Sequence, residues 1–104
     1  MTALLGSFPA AQHSNVFCFS VTAAADPSVM PDLVAVFAQL GLVPDKLYAV
    51  RGGESGDELV VDLQMGRLDA DQARHLAATL RKNIMVSSVL LYEMPREDQL
   101  RAAG

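Results

Sequence analysis

The sequence predicts a ferredoxin-like α+β sandwich with elements in the order βαββαβ. The antiparallel four-stranded sheet has strand order 4-1-3-2, and two helices lie on one face. Three observations lead there. Residues 15–23 alternate with a period of two. Residues 26–41 carry a helix start, an apolar helical stripe and a helix stop in one segment. The strand and helix patterns then recur after a glycine-rich hairpin. Two strand–helix–strand halves with right-handed crossovers put both helices on the same side of the sheet.

The elements follow in order. Residues 1–14 hold Gly6, Pro9 and polar residues without a sustained period and read as an N-terminal arm, from which Leu4, Leu5 and Phe8 could dock on a neighbour. In the first strand, Phe17, Phe19 and Val21 alternate with Cys18, Ser20 and Thr22, one oily face and one mixed. The first helix places Val29, Leu33, Val36, Phe37 and Leu40 on one stripe. Its cap is expected at Ser28 rather than Asp26. An Asp26 cap would make Pro31 the fifth helical residue, where its ring clashes with a carbonyl one turn back; a Ser28 cap leaves Pro31 in the tolerant first turn. Gly41 supplies a left-handed stop and Pro44 prevents continuation.

Lys46 to Arg51 reads as a short strand and Glu58 to Met65 as a stronger one, with Gly52-Gly53-Glu54-Ser55-Gly56-Asp57 as the hairpin loop between them. Asp69 with Gln72 forms a possible capping box for the second helix. That helix has Ala73, Leu76, Ala77, Leu80 and Ile84 inward, Arg81 and Lys82 near its C-terminus, and Asn83 as its stop. Met85 to Glu93 is the last strand. The domain is thus expected over 15–94 and a charged tail over 95–104. The outer face of the sheet is half apolar, so it is solvated or covered by a partner.

Length and composition narrow the function. A chain of 104 residues makes one domain, and 51% hydrophobic residues exclude a disordered chain. The formal charge is −4 and the eight bases are scattered, which argues against a nucleic-acid surface. No apolar run approaches the roughly 18 residues of a membrane span, and the start lacks a signal-peptide pattern, so the expected location is cytoplasmic. Cys18 is the sole cysteine and is expected to be a small buried apolar residue; an internal disulfide or a cysteine-based metal cluster is excluded.

The chemistry-bearing patterns are equally sparse. The third strand, Glu58-Leu59-Val60-Val61-Asp62-Leu63-Gln64-Met65, is acidic and lacks the stacking aromatics of an RNA-binding sheet. The first strand–helix turn, Ala24-Ala25-Asp26-Pro27-Ser28, lacks the cysteine pair of a copper-carrying domain. His13 and His75 are the only histidines, and His75 is placed on the solvent side of its helix. Asp62, Asp69 and Asp71 read as a solvated acid face. The glycines of residues 52–56 lack the following helix that a phosphate loop needs. The expectation is a non-catalytic protein with no metal or cofactor.

The turn into the first helix remains, and there the chain resembles a known family. Residues 16–93 resemble an ACT domain, the small regulatory module of amino-acid-metabolic enzymes. The resemblance rests on the first strand, on Ala24-Ala25-Asp26-Pro27-Ser28-Val29-Met30, on Val36-Phe37-Ala38-Gln39-Leu40-Gly41, and on Pro44-Asp45-Lys46-Leu47. In flavour it is nearest to the regulatory small subunit of acetohydroxyacid synthase. The resemblance implies a homodimer joined edge to edge through the second strands, here Lys46, Leu47, Tyr48, Ala49, Val50 and Arg51. It also implies an amino-acid effector at the seam, against Ala25, Asp26, Pro27, Ser28, Val29 and Met30, where free helix amides suit a carboxylate. The chain departs from the pattern in three places. Ser28 stands where the family usually has glycine, and Ala25 and Val43 where valine-responsive small subunits tend to have asparagine. The alternative reading is a ligand-free interaction module that pairs through its exposed edge with itself or with a metabolic enzyme.

Overall fold

The computed structural model describes residues 15–95. Its elements are β1 (Asn15–Ala24), α1 (Val29–Gln39), β2 (Lys46–Gly52), β3 (Glu58–Met65), α2 (Ala70–Arg81) and β4 (Val86–Pro95). The sheet order is β2-β3-β1-β4, the expected 4-1-3-2 counted from the other edge, and every neighbouring pair is antiparallel. The arm expected over 1–14 and the tail expected over 95–104 lie outside the described residues, except that Pro95 closes β4.

The alternation in the sequence becomes two faces through the register. Phe19 pairs with Leu63, Val21 with Val61 and Ala23 with Leu59, so all six side chains point to one side. There they meet Val29, Leu33 and Phe37 of α1 and Ala73, Leu76, Ala77 and Leu80 of α2 in a single core. Phe19 and Phe37 meet edge to face, with ring centroids 5.9 Å apart and planes at 89°. Each large apolar side chain buried in this way stabilises by about 1.5–3 kcal/mol, against about 1 kcal/mol for a helix cap. The stripe, more than the cap, therefore holds α1 on the sheet.

The helix ends follow local chemistry. At α1 the Gly41 N–H donates to Ala38 O (3.0 Å) and the Leu42 N–H to Phe37 O (2.8 Å), with Gly41 at φ +73°. These are the two bonds of a Schellman stop, and half-buried Leu42 packs back on the core. At α2 the capping box forms as expected: Asp69 accepts from Gln72 N at 2.8 Å, and Gln72 Oε1 accepts from Asp69 N at 2.9 Å.

Four expectations need correction. Ser28 occupies the cap position of α1, but its hydroxyl accepts no amide proton; it donates instead to Asp26. Leu40, expected inward, is the C-cap residue and 46% exposed, because the chain turns away at Gly41 before it can be covered. Ile84, expected on the inward stripe, is 93% exposed, because α2 ends at Arg81 and Ile84 sits on the following turn. The three acids share no face: Asp62 is on the sheet, Asp69 caps α2, and Asp71 pairs with Arg74 one turn along. Strand limits also shift slightly, with β1 reaching Ala24 and β4 beginning at Val86.

The open face of the sheet is half apolar, as expected, with Tyr48, Val50, Leu90 and Tyr92 exposed on it. Cys18 is buried, yet it lies on this open face between Gln64 and Tyr92. Among the described residues no helix is long and apolar enough to cross a membrane.

Candidate functional site

β1 must hand the chain to α1 within four residues, and a compact turn does so. The Asp26 carbonyl accepts from Val29 N at 3.0 Å, with Pro27 and Ser28 at the corners. Pro27 presets the backbone of the first corner, and Ser28 follows at φ −78°, ψ −17°. Helical bonding then begins with Asp32 N to Ser28 O at 3.1 Å. Pro31 is the third residue of α1, where its missing N–H costs no helical bond.

The Asp26 carboxylate closes this turn from inside. Oδ1 accepts from both Ser28 N (2.9 Å) and Ser28 Oγ (2.8 Å). These bonds hold the Asp26 carboxyl below the usual carboxylate range, the backbone N–H contributing most and the hydroxyl next. The consequence for anion binding follows from counting donors. Ser28 N–H is given to the carboxylate, Val29 N–H to the Asp26 carbonyl, Pro31 has no N–H, and Asp32 N–H is helical. Among the described residues, Met30 N–H is the one donor left in the first turn. Asp26 thus occupies by itself the place where free amides would suit a ligand carboxylate. It leaves Oδ2 as an acceptor, and Oδ2 has no partner among the described residues.

The other expected site residues are distributed around this turn. Ala25 is half-buried against the core, and its N–H is tied to Asp57 O at 2.9 Å. Val29 is fully buried, so its side chain belongs to the core. Pro27, Ser28 and Met30 are exposed.

Two further segments meet the turn, and sequence spacing did not place them there. The β2–β3 hairpin supplies Asp57 O. The turn between α2 and β4 supplies Met85 O, which accepts from Ala24 N at 2.9 Å. Exposed Met85 therefore stands beside Ala24. These contacts span some thirty to sixty residues of sequence. The only signal that could have found them is the topology, which brings the end of β1, the β2–β3 hairpin and the start of β4 to one end of the sheet.

The expected pairing edge is the other component. From Lys46 to Arg51 every residue of β2 is exposed, on the helix side (Leu47, Ala49, Arg51) as on the open side (Lys46, Tyr48, Val50). β2 is the one strand of the sheet with no buried residue. Arg51 Nε donates to Gly56 O, fixing the hairpin to the end of this edge. The turn itself belongs to β1, two strands in from the edge and so about 10 Å away. The structure therefore brings the turn, the hairpin and the end of β2 into one neighbourhood but does not join turn and edge directly.

Little else among the described residues points to chemistry. Among the described residues no polar or charged side chain is buried, and no group of three His, Cys, Asp or Glu could hold a metal ion. Burial raises the Cys18 thiol above its ordinary range, and the Asp62 charge adds to this against a lowering hydrogen bond from Tyr92. Tyr92 is raised in turn, first by the charge of Cys18.

Comparison with known proteins adds a family and a fold. The model of the ACT-like domain matches residues 10–98. No curated protein matches the chain. Among solved structures, the solution structure of the C-terminal domain of the MgtC protein from Mycobacterium tuberculosis superimposes with a TM-score of 0.64 at 13% identity. It covers 82% of this chain and 93% of that one, a likeness of fold. The crystal structure of PH0061 is also similar, with a TM-score of 0.42 at 11% identity over 83% of this chain and 55% of that one.

Proposed function

The chain belongs to the ACT-like domain family, and on that footing we propose that it is a non-catalytic regulatory module that pairs edge to edge through β2 and senses an amino acid at the seam. The observation that carries the reading is the state of β2: it has no buried residue and forms the edge of the sheet, with no strand on its outer side among the described residues. Unpaired edges recruit partners, and a second copy in antiparallel register would extend the sheet to eight strands. The effector would lie over the hairpin, reaching the β1–α1 turn on one protomer and the Lys46–Arg51 edge of the other. Asp26 Oδ2 suits its ammonium, and Met30 N–H is the donor for its carboxylate. The enzyme regulated is one of amino-acid metabolism, of the acetohydroxyacid synthase kind that the first strand–helix unit resembles, in the cytoplasm.

A second reading keeps the pairing and drops the effector. It is favoured by one observation, that Asp26 already fills the helix N-terminus from within. Light scattering on the wild type and on the double variant Tyr48→Lys/Val50→Lys, with a thermal-shift screen of the twenty amino acids, separates the two. Both substituted positions are exposed, so folding is preserved. The first reading expects a dimer at micromolar concentration, a monomeric double variant, and a melting temperature raised by an amino acid in the wild type alone. A dimer that no amino acid stabilises leaves the second reading. A wild-type monomer refutes both.

A further inference from the structure

At the end of the sheet away from the β1–α1 turn, a cleft of about 330 Å³ opens between the C-terminal end of α1 and the first two turns of α2. We propose that this cleft is a binding site, separate from the seam, for a small aliphatic or aromatic carboxylic acid. Its apolar wall is Leu40, Leu42, Leu68 and Leu76, and its polar rim is Asp71, Gln72 and His75. Three observations carry the assignment.

The first is an apolar pattern left without cover. Leu40 continues the α1 stripe but is 46% exposed, and Leu42, set by the left-handed Gly41, is only half-buried. The second is the direction of the rim's hydrogen bonds. Gln72 Oε1 is committed to Asp69 N, which leaves the side-chain NH₂ to be given away. Asp71 Oδ1 accepts from Arg74, and the guanidinium offsets the carboxylate's charge at the rim. His75 is exposed and can donate a ring N–H. A leucine wall beside two donors suits an amphiphile with an acceptor head, and a carboxylate is the head that takes both donors at once. The third is size. The cleft falls at the lower end of small-molecule sites and holds the volume of about ten waters, which matches a short acid and not a drug-sized ligand.

The test is a titration of the isotope-labelled full chain with hexanoate, followed by amide chemical shifts, with hexanol in parallel. The expected result is saturable movement of Leu40, Leu42, Leu68 and His75 in the millimolar range or tighter, weaker movement with hexanol, and none at Asp26. Leu40→Asp, at an exposed position outside the core, weakens binding by about tenfold or more, and His75→Ala weakens hexanoate by about 2–10-fold while leaving hexanol unchanged. Equal binding of acid and alcohol with no effect of His75→Ala overturns the acid assignment. Absence of any saturable shift in the wild type overturns the site. Movement of the same amides with protein concentration instead of hexanoate gives the cleft to a second copy. Binding that appears only after residues 1–14 are removed gives it to that segment. Either result overturns the proposal.

Discussion

Replacing Gly41 and Gly52 by alanine should move stability in opposite directions, although the new methyl group meets nothing within 4 Å at either position. With packing removed as a variable, backbone conformation decides the sign. Gly41 sits at φ +73° and gives its N–H to Ala38 O, while Leu42 gives its own to Phe37 O. An L-residue there costs about 1–2 kcal/mol of left-handed strain, offset by about 0.4–1 kcal/mol because alanine stiffens the unfolded chain. The net loss is about 1 kcal/mol, which for a domain of this size lowers the melting temperature by about 4–8 °C. Gly52 closes β2 without a left-handed φ, so the second effect acts alone and stabilises by about 0.4–1 kcal/mol. Urea unfolding followed by circular dichroism, fitted with a shared m-value, measures both. Gly41→Asn should lie between glycine and alanine, since asparagine tolerates the left-handed region. An equal loss at both glycines, or no loss at Gly41, would refute the assignment of the α1 stop to the Schellman bonds. It would also remove the reason Leu40 and Leu42 stand where they do.

Three further outcomes follow from the same coordinates. Phe37→Ala removes a fully buried ring and its edge-to-face partner contact, so thermal unfolding should show a loss of about 3–5 kcal/mol, while Phe37→Leu should lose under about 1.5 kcal/mol. A loss below about 2 kcal/mol for the alanine variant contradicts the packing described. For Asp26 the folded-state pKa is lowered by the Ser28 N–H and hydroxyl, so its stabilising contribution is present above the unfolded carboxyl range and is lost as pH falls through the folded value. An amide-shift titration of Ser28 should therefore have a midpoint below that of an ordinary aspartate, and Asp26→Asn should abolish the transition; a midpoint in the ordinary range is the contrary result. Cys18 titrates in the opposite sense. Burial raises its pKa, so its contribution is present below the unfolded thiol range and fades as pH rises through the folded value. Native protein at neutral pH should be alkylated by iodoacetamide far more slowly than denatured protein, and rapid native labelling would contradict the buried, neutral thiol.

Where local patterns carry the information, sequence and structure agree. The period of two in residues 17–23 reappears as the buried set Phe19, Val21 and Ala23, and the spacing of Val29, Leu33 and Phe37 as the inward face of α1. The Asp69–Gln72 box and the Gly41 stop depend on residues at most five positions apart, and both stand as expected. Periodicity failed where it ran past an element's end. Leu40 and Ile84 fit their stripes by spacing, but hydrogen bonding ends each helix first. At the head of α1 the cap residue is the expected Ser28, but its hydroxyl donates to Asp26 instead of accepting an amide proton. Composition and position favoured Ser28, and only the three-dimensional turn shows the Asp26 carboxylate accepting from Ser28. The candidate site was legible as a segment, not as an assembly. Met85 and Asp57 reach Ala24 and Ala25 across distant stretches of chain, and no local pattern records that meeting.

The order of elements, the sheet topology and the side on which the helices pack are legible from the residues alone, because each rests on short-range periodicity, capping and turn chemistry, together with the fixed hand of crossovers. Tertiary packing decides which donors at the head of α1 stay free among the described residues, which apolar residues go uncovered, and that the turn lies two strands in from the β2 edge. Those are properties of what packs against what, and a hydrogen bond or a covering side chain acts through space between residues whose separation along the chain carries no signal.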